Sequence, residues 1–170
     1  MTMGDNVTQV GANAYAKAAT GLNILRETVM GRELFDFSFR EYARRWAFKH
    51  PTAWDFFHTI ENVAGEDLNW FWRSWALNTW KFDVAVKEVD PIKNGAMITL
   101  QLLEKMPMPL TVKVVDVNGD EQLIKLPVEV WQRGDTWSFP VQTKAAVKEV
   151  VVDPEKRLPD MNTGNNSWMK

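Results

Sequence analysis

Leu68-Asn69-Trp70-Phe71-Trp72-Arg73-Ser74-Trp75, followed five residues later by Lys81-Phe82-Asp83-Val84-Ala85-Val86-Lys87, is the stretch where the hydrophobic period changes. Leu68, Phe71, Trp72 and Trp75 fall at i, i+3, i+4 and i+7, which places them on one stripe of an α-helix. Phe82, Val84 and Val86 alternate with Asp83, Ala85 and Lys87, the two-residue period of a strand. The chain therefore reads as helical over 1–80 and as β-structure over 81–170.

Upstream of this boundary the helical period continues. Tyr15, Ala18, Ala19, Leu22, Leu25 and Val29 recur at three- and four-residue steps, and Gly31 is a stop signal. A second helix is expected from about Arg32 to Lys49, with Phe35, Phe39, Tyr42 and Trp46 as its apolar stripe and Arg44-Arg45 on a solvated face. Pro51 separates it from the next helix. Thr52-x-x-Asp55 has the arrangement of a capping box, with Asp in place of the usual Glu. Phe56, Phe57, Ile60, Val63 and Ala64 form the expected buried side, Gly65 the end, and Asp67 the N-cap of a fourth helix.

Downstream, Ile98, Leu100 and Leu102, then Leu110, Val112 and Val114, repeat the alternation. Asn118-Gly119 is a hairpin turn, since both residues tolerate positive φ. Further strands are expected over 122–131, 136–142 and 146–152, with Arg133-Gly134-Asp135 as a turn. Six or seven short strands at this spacing predict a small antiparallel β-sandwich. From Pro159 to Lys170 the chain is rich in Asp, Asn and Gly, and the expectation is disorder or an irregular closing segment without the ligand spacing of an EF-hand. The fold class is thus α+β, a four-helix lobe followed by a sandwich.

Composition narrows the function. Hydrophobic residues make up 45% and charged residues 25%, as in ordinary globular domains. Lys and Arg against Asp and Glu number 8 and 9 over 1–80, and 12 and 13 over 81–170, so neither half carries the basic footprint of a nucleic-acid binder. There are no cysteines, which excludes disulfides and thiolate metal sites. No apolar run approaches the roughly 18 residues of a membrane span. The first residues, Met1-Thr2-Met3-Gly4-Asp5-Asn6, lack the basic and apolar regions of a signal peptide.

No complete active site is visible in the residues. His50 and His58 lie eight apart across a proline and cannot sit one turn apart on a helix. Gly-x-Ser-x-Gly and glycine-rich phosphate loops are absent from the sequence. Six of the nine tryptophans fall between Trp46 and Trp80. Such a cluster serves either a bulky aromatic core or an aromatic binding surface. Burial of Trp70, Trp72 and Trp75 distinguishes the two.

Several segments, in order, carry a resemblance: Tyr15-Ala16-Lys17, Phe39-Arg40-Glu41-Tyr42, Thr52-Ala53-Trp54-Asp55-Phe56 and Trp70-Phe71-Trp72-Arg73-Ser74-Trp75. Together they resemble the C-terminal half of the catalytic domain of gluzincin aminopeptidases, the family of aminopeptidase N and leukotriene hydrolase. Val152-Asp153-Pro154 and Asn165-Asn166-Ser167-Trp168 resemble its bacterial members, whose relatives are often exported. The resemblance implies that 1–80 is the helical lobe of a thermolysin-like catalytic domain and 81–170 the sandwich that follows it. It also implies that the parent enzyme is a zinc metallopeptidase cleaving residues from peptide N-termini.

Tyr15 matches the tyrosine of the family's Tyr-x-Lys-Gly segment, whose hydroxyl faces the zinc-bound substrate and stabilises the oxyanion. Position 18 is alanine where many relatives have glycine. No substrate-binding residue can be assigned. His-Glu-x-x-His is nowhere in the sequence. The chain is therefore expected to be an excised C-terminal piece, or a relic that lost its metal site, with no metal ligands and no cofactor of its own, inactive alone; excision is the simpler of the two. Its expected partners are the zinc-bearing N-terminal part, through that part the peptide substrate, and other copies through the cut surface; a strictly monomeric sedimentation profile would count against such self-association. The alternative is a non-catalytic protein- or glycan-binding module.

Overall fold

The computed structural model describes Gln9 and residues 11–170; the N-terminal segment before Gln9 lies outside the described residues. The chain forms two compact units, one ending at Thr79 and the other running from Trp80 to Lys170. Among the described residues, four α-helices make up the first and two antiparallel sheets the second, an α+β architecture.

The first helical rod is α1, Ala18–Ile24, flanked without a break by wider π turns over Gly11–Lys17 and Leu25–Val29. Gly31, with φ of 81°, breaks the rod from α2, Arg32–Trp46. A charge network holds this corner. Arg26 donates to both Asp36 oxygens at 2.7 and 2.9 Å, and Glu27 accepts from Arg26 and Arg32. The hydrogen bonds from Arg26 hold the Asp36 carboxyl below its ordinary range, and those from Arg32 do the same for Glu27.

The Phe35, Phe39 and Tyr42 rings follow one another down α2 and meet α3, Ala53–Ala64. Tyr42 lies edge-on to Phe56 at 4.9 Å, and the Trp46 indole donates to Thr59 Oγ1 at 3.1 Å. Arg44 and Arg45 are exposed and pair with Glu41. Helix α4, Asn69–Trp75, begins one residue later than its sequence signal, with Asp67 Oδ1 accepting from the Asn69 amide at 2.9 Å.

The capping box of α3 forms in full. Asp55 N donates to Thr52 Oγ1 at 3.3 Å, and Thr52 N donates back to Asp55 Oδ2 at 2.7 Å. At the other end Gly65 takes the left-handed conformation, φ 69°, that closes the helix. Thr52→Ala is expected to cost the lobe about 1 kcal/mol in a urea melt. The Thr52 hydroxyl, then its amide, hold the Asp55 carboxyl below its ordinary 3.8. A depressed folded-state value means that this stabilisation is complete above the ordinary value and is lost as pH falls through the lower one. The stability gap between wild type and Asp55→Asn should therefore be open at pH 7 and close below about pH 4. A gap independent of pH would contradict this account of the cap.

In the second unit β1 (Val84–Ile92), β2 (Gly95–Leu102) and β5 (Thr136–Gln142) form one sheet in that order. The other sheet has the order β4 (Glu121–Leu126), β3 (Leu110–Asp116), β6 (Val147–Val152) and β7 (Ser167–Met169). Alternate residues are buried, including Ile98 and Leu100 in one sheet and Val112, Val114 and Val150 in the other, as a two-sheet core requires.

Two expectations need correction here. The strand over 122–131 stops at Leu126. Pro127 cannot donate to a ladder, and a single 3₁₀ turn, Val128–Trp131, follows and tucks the Trp131 indole onto the Met108 carbonyl at 3.0 Å. The tail after Pro159 is irregular only in part: a 3₁₀ turn, Thr163–Asn165, and the strand β7 form in it. The Val84 amide donates to Asp160 Oδ2 at 3.2 Å and the Asn165 side chain to Asp83 at 2.9 Å. With its amide nitrogen facing them, buried Asn166 donates to Asp160 and to the Val84 carbonyl. The chain then continues into β7 against β6. The Asp and Asn side chains that looked like loop chemistry are spent on holding this closure.

Candidate functional site

Tyr15 sits on the π-wound segment Gly11–Lys17, and its side chain is 76% exposed. Its hydroxyl makes no hydrogen bond among the described residues. Two residues on, the backbone is fixed: the Trp75 indole of α4 donates to the Lys17 carbonyl at 3.1 Å, and the Lys17 ammonium lies 5.7 Å from the centre of the same ring. One turn further, Gly21 is buried against Trp75 so closely that a Cβ there would collide with the indole. The tryptophan-rich helix thus clamps the tyrosine helix at Lys17 and Gly21 and leaves the phenol free beyond the clamp. The imperfect position of the motif, Ala18, is exposed, so its methyl meets no packing constraint.

The expected buried stripe of the first helix holds only in its C-terminal half: Leu25 is buried and Leu22 and Val29 are half-buried, but Tyr15, Ala18 and Ala19 are exposed, and Gly21 and Ile24 face inward beside Leu25. The reason is tertiary: Trp75 selects the glycine edge, and a period of three and four does not say which of two apolar edges a neighbour will take. From Gly11 to Ala19 the rod therefore presents Ala12, Ala14, Tyr15, Ala16, Ala18 and Ala19 to the outside, with Lys17 as the single charge. Such a run is unusually apolar for a helix surface.

Within the tryptophan cluster Trp72 belongs to the core, whereas Trp54 is exposed. Trp72 is 5% exposed and stacks on Phe57 at 4.4 Å; Phe71 stacks on Trp75 and lies edge-on to Trp72. Trp70 and Trp75 are half-buried, so no solvent-facing row of tryptophans forms on α4. His50 and His58 are both exposed, and His58 lies beside Trp54 at 6.2 Å. Among the described residues, no group of three His, Cys, Asp or Glu side chains is placed to hold a metal ion. Among the described residues, no helix is long and apolar enough to cross a membrane.

The pairing of Gly21 with Trp75 is not among the expectations from sequence. The signal was a glycine inside a helical pattern, which implies close approach of another element without saying which.

No protein-family model matches the chain, and no curated protein matches it in sequence. Among solved structures, aminopeptidase A of Legionella pneumophila, crystallised with aspartic acid, is similar in fold, with a TM-score of 0.67 at 16% identity. The likeness covers 88% of this chain but only 17% of that protein. The helices and the sheets together thus occur, in this order, as a minor part of a much larger peptidase.

Proposed function

We propose that this chain is the C-terminal portion of a gluzincin-type zinc aminopeptidase and that Tyr15 is its contribution to the chemistry. The observation that carries the proposal is a free phenol, presented on a bare alanine surface, on a helix locked from behind by Trp75. The likeness to one aminopeptidase over most of the chain supports it. Residues 1–80 are the helical lobe of the catalytic domain and 81–170 the sandwich that follows.

In this reading the apolar run from Gly11 to Ala19 seats the part of the enzyme that carries the metal. The zinc ligands and the general base come from outside these 170 residues, so no step through the metal is assigned to this chain. Its own task is narrower. The Tyr15 hydroxyl donates a hydrogen bond to the oxygen of the scissile carbonyl as negative charge develops there. A donor fixed before the reaction stabilises that charge without reorganising, which is why the clamp behind Tyr15 matters.

The test is complementation. The 170 residues alone should not hydrolyse aminoacyl-naphthylamides and should retain no zinc after dialysis against a chelator. Mixed or co-expressed with the upstream part of the same reading frame, carrying His-Glu-x-x-His, they should restore turnover. Stoichiometric zinc together with aminopeptidase turnover by the isolated chain would overturn the proposal.

A further inference from the structure

The core of the second unit stops short at one end. On β2 the inward positions are Ala96, Ile98, Leu100 and Leu102, all buried. Three are bulky, and the one nearest the β1–β2 turn is alanine. Val89 and Pro91 pair with Ile98 and Ala96 across the ladder and so stand on the same inward face. Pro91 is nevertheless exposed. Small and uncovered residues at this end leave a recess of about 530 Å³, within the size range of small-molecule sites.

The recess lies between the sheets. Val89, Pro91 and Ala96 line it from one sheet, and Val147 and Trp168 from the other. Its walls are fixed by the backbone. The Thr143 amide donates to the Asn94 carbonyl at 3.1 Å, which ties the β5–β6 connection to the β1–β2 turn. The Lys170 amide donates to the Lys148 carbonyl at 3.1 Å and holds the end of β7. Trp168 pairs with buried Val150, so its ring is on the inward face. Lys170 follows two residues later, on the same face, and also lines the recess. Lys144 is the other cation of the lining; its side chain is 84% exposed and its ammonium bonds Asp120 Oδ2 at 3.0 Å. Among the described residues, no acidic side chain lines the recess and Lys170 makes no ion pair.

We propose that this end of the sandwich binds a medium-chain fatty acid, its alkyl chain laid between Pro91 and Trp168 and its carboxylate at the mouth beside Lys170 and Lys144. The charges decide the head of the ligand. Two cations with no acid beside them in the lining favour an anion and repel a cation. The walls decide its body. A polar atom placed against Val89, Ala96 and Val147 would lose water and gain no partner, so the buried part is hydrocarbon. Trp168 is the one aromatic side chain in the lining, so no pair of rings is present to sandwich an aromatic ligand, whereas an alkyl chain uses aliphatic surface fully. Walls already held by backbone hydrogen bonds keep the ordering cost of binding small. The site lies wholly in the second unit and is independent of the peptidase reading.

The experiment is isothermal titration of the 170-residue chain with sodium decanoate, below its micelle concentration, on the wild type, Lys170→Gln and Ala146→Trp. Ala146 lines the recess, and both substituted residues are exposed, so melting temperatures without ligand should stay unchanged. The wild type should bind one decanoate with a dissociation constant of about 10⁻⁵–10⁻⁴ M. Lys170→Gln should weaken binding about two- to fivefold, the range of an exposed ion pair. Ala146→Trp, whose indole would fill the mouth, should weaken it by at least about tenfold. Decyltrimethylammonium, with the same chain and the opposite charge, should bind the wild type at least about tenfold more weakly than decanoate. Absence of saturable binding up to about 2 mM, unchanged affinity in Lys170→Gln, or equal affinity for the cationic amphiphile overturns the proposal. Tighter binding of a blocked tripeptide acid ending in leucine than of decanoate would assign the recess to peptide chain ends and overturn it as well. Should Ala146→Trp fail to fold, Lys170→Gln and the cationic amphiphile decide.

Discussion

Gly21→Ala is expected to destabilise the helical lobe by about 1–3 kcal/mol, although helix propensity alone favours the alanine by about 1 kcal/mol. The two effects oppose each other, and the geometry decides between them. A methyl at this position would occupy the same space as the indole ring of Trp75. One escape is for the helices to separate, which opens the core around Ile24 and Leu25. The other is for Trp75 to rotate outward, losing its bond to the Lys17 carbonyl and its stack on Phe71. Both cost more than the propensity gain. Gly11→Ala is the control, because nothing lies within 4 Å of a Cβ there; it should be neutral or stabilising. A urea titration followed by tryptophan fluorescence reads both variants. A raised midpoint for Gly21→Ala would mean that α1 and α4 do not approach each other in this way.

The parts of the fold legible in the sequence are those whose cause is local. Thr52 and Asp55 are three residues apart and satisfy each other, so the start of α3 was readable without knowing its neighbours. The same holds for Gly65 and for Asn118-Gly119. Alternation along β2 and β3 survives because each strand buries one face against the other sheet. What escaped depends on partners distant in sequence. Asn166 is polar and near the chain end, yet it is buried because Val84 and Asp160 converge on it. The first half of the expected stripe of the first helix is exposed because Trp75, some fifty residues away, selects Gly21. Tyr15 became a candidate through resemblance alone; in sequence it is indistinguishable from any aromatic on a helix.

The second large effect concerns that residue. In the reassembled enzyme, Tyr15→Phe is expected to lower kcat by about 10²–10³-fold, the usual loss for one oxyanion donor. The ring stays and only the hydroxyl goes, so binding of the substrate ground state should change little and KM should be nearly unaffected. Stability should stay within about 0.5 kcal/mol, because the side chain is exposed and its hydroxyl bonds nothing among the described residues. A purely structural tyrosine would show the reverse pattern, with lower stability and intact turnover.

The decisive measurement is therefore kcat for an aminoacyl-naphthylamide, with the wild-type chain and with Tyr15→Phe, each combined with its zinc-bearing partner segment. Turnover that appears only on combination and falls at least about a hundredfold in the variant is the predicted result. Equal turnover by the two would contradict the role given to Tyr15, and turnover by the uncombined chain would contradict its place as one part of a larger enzyme.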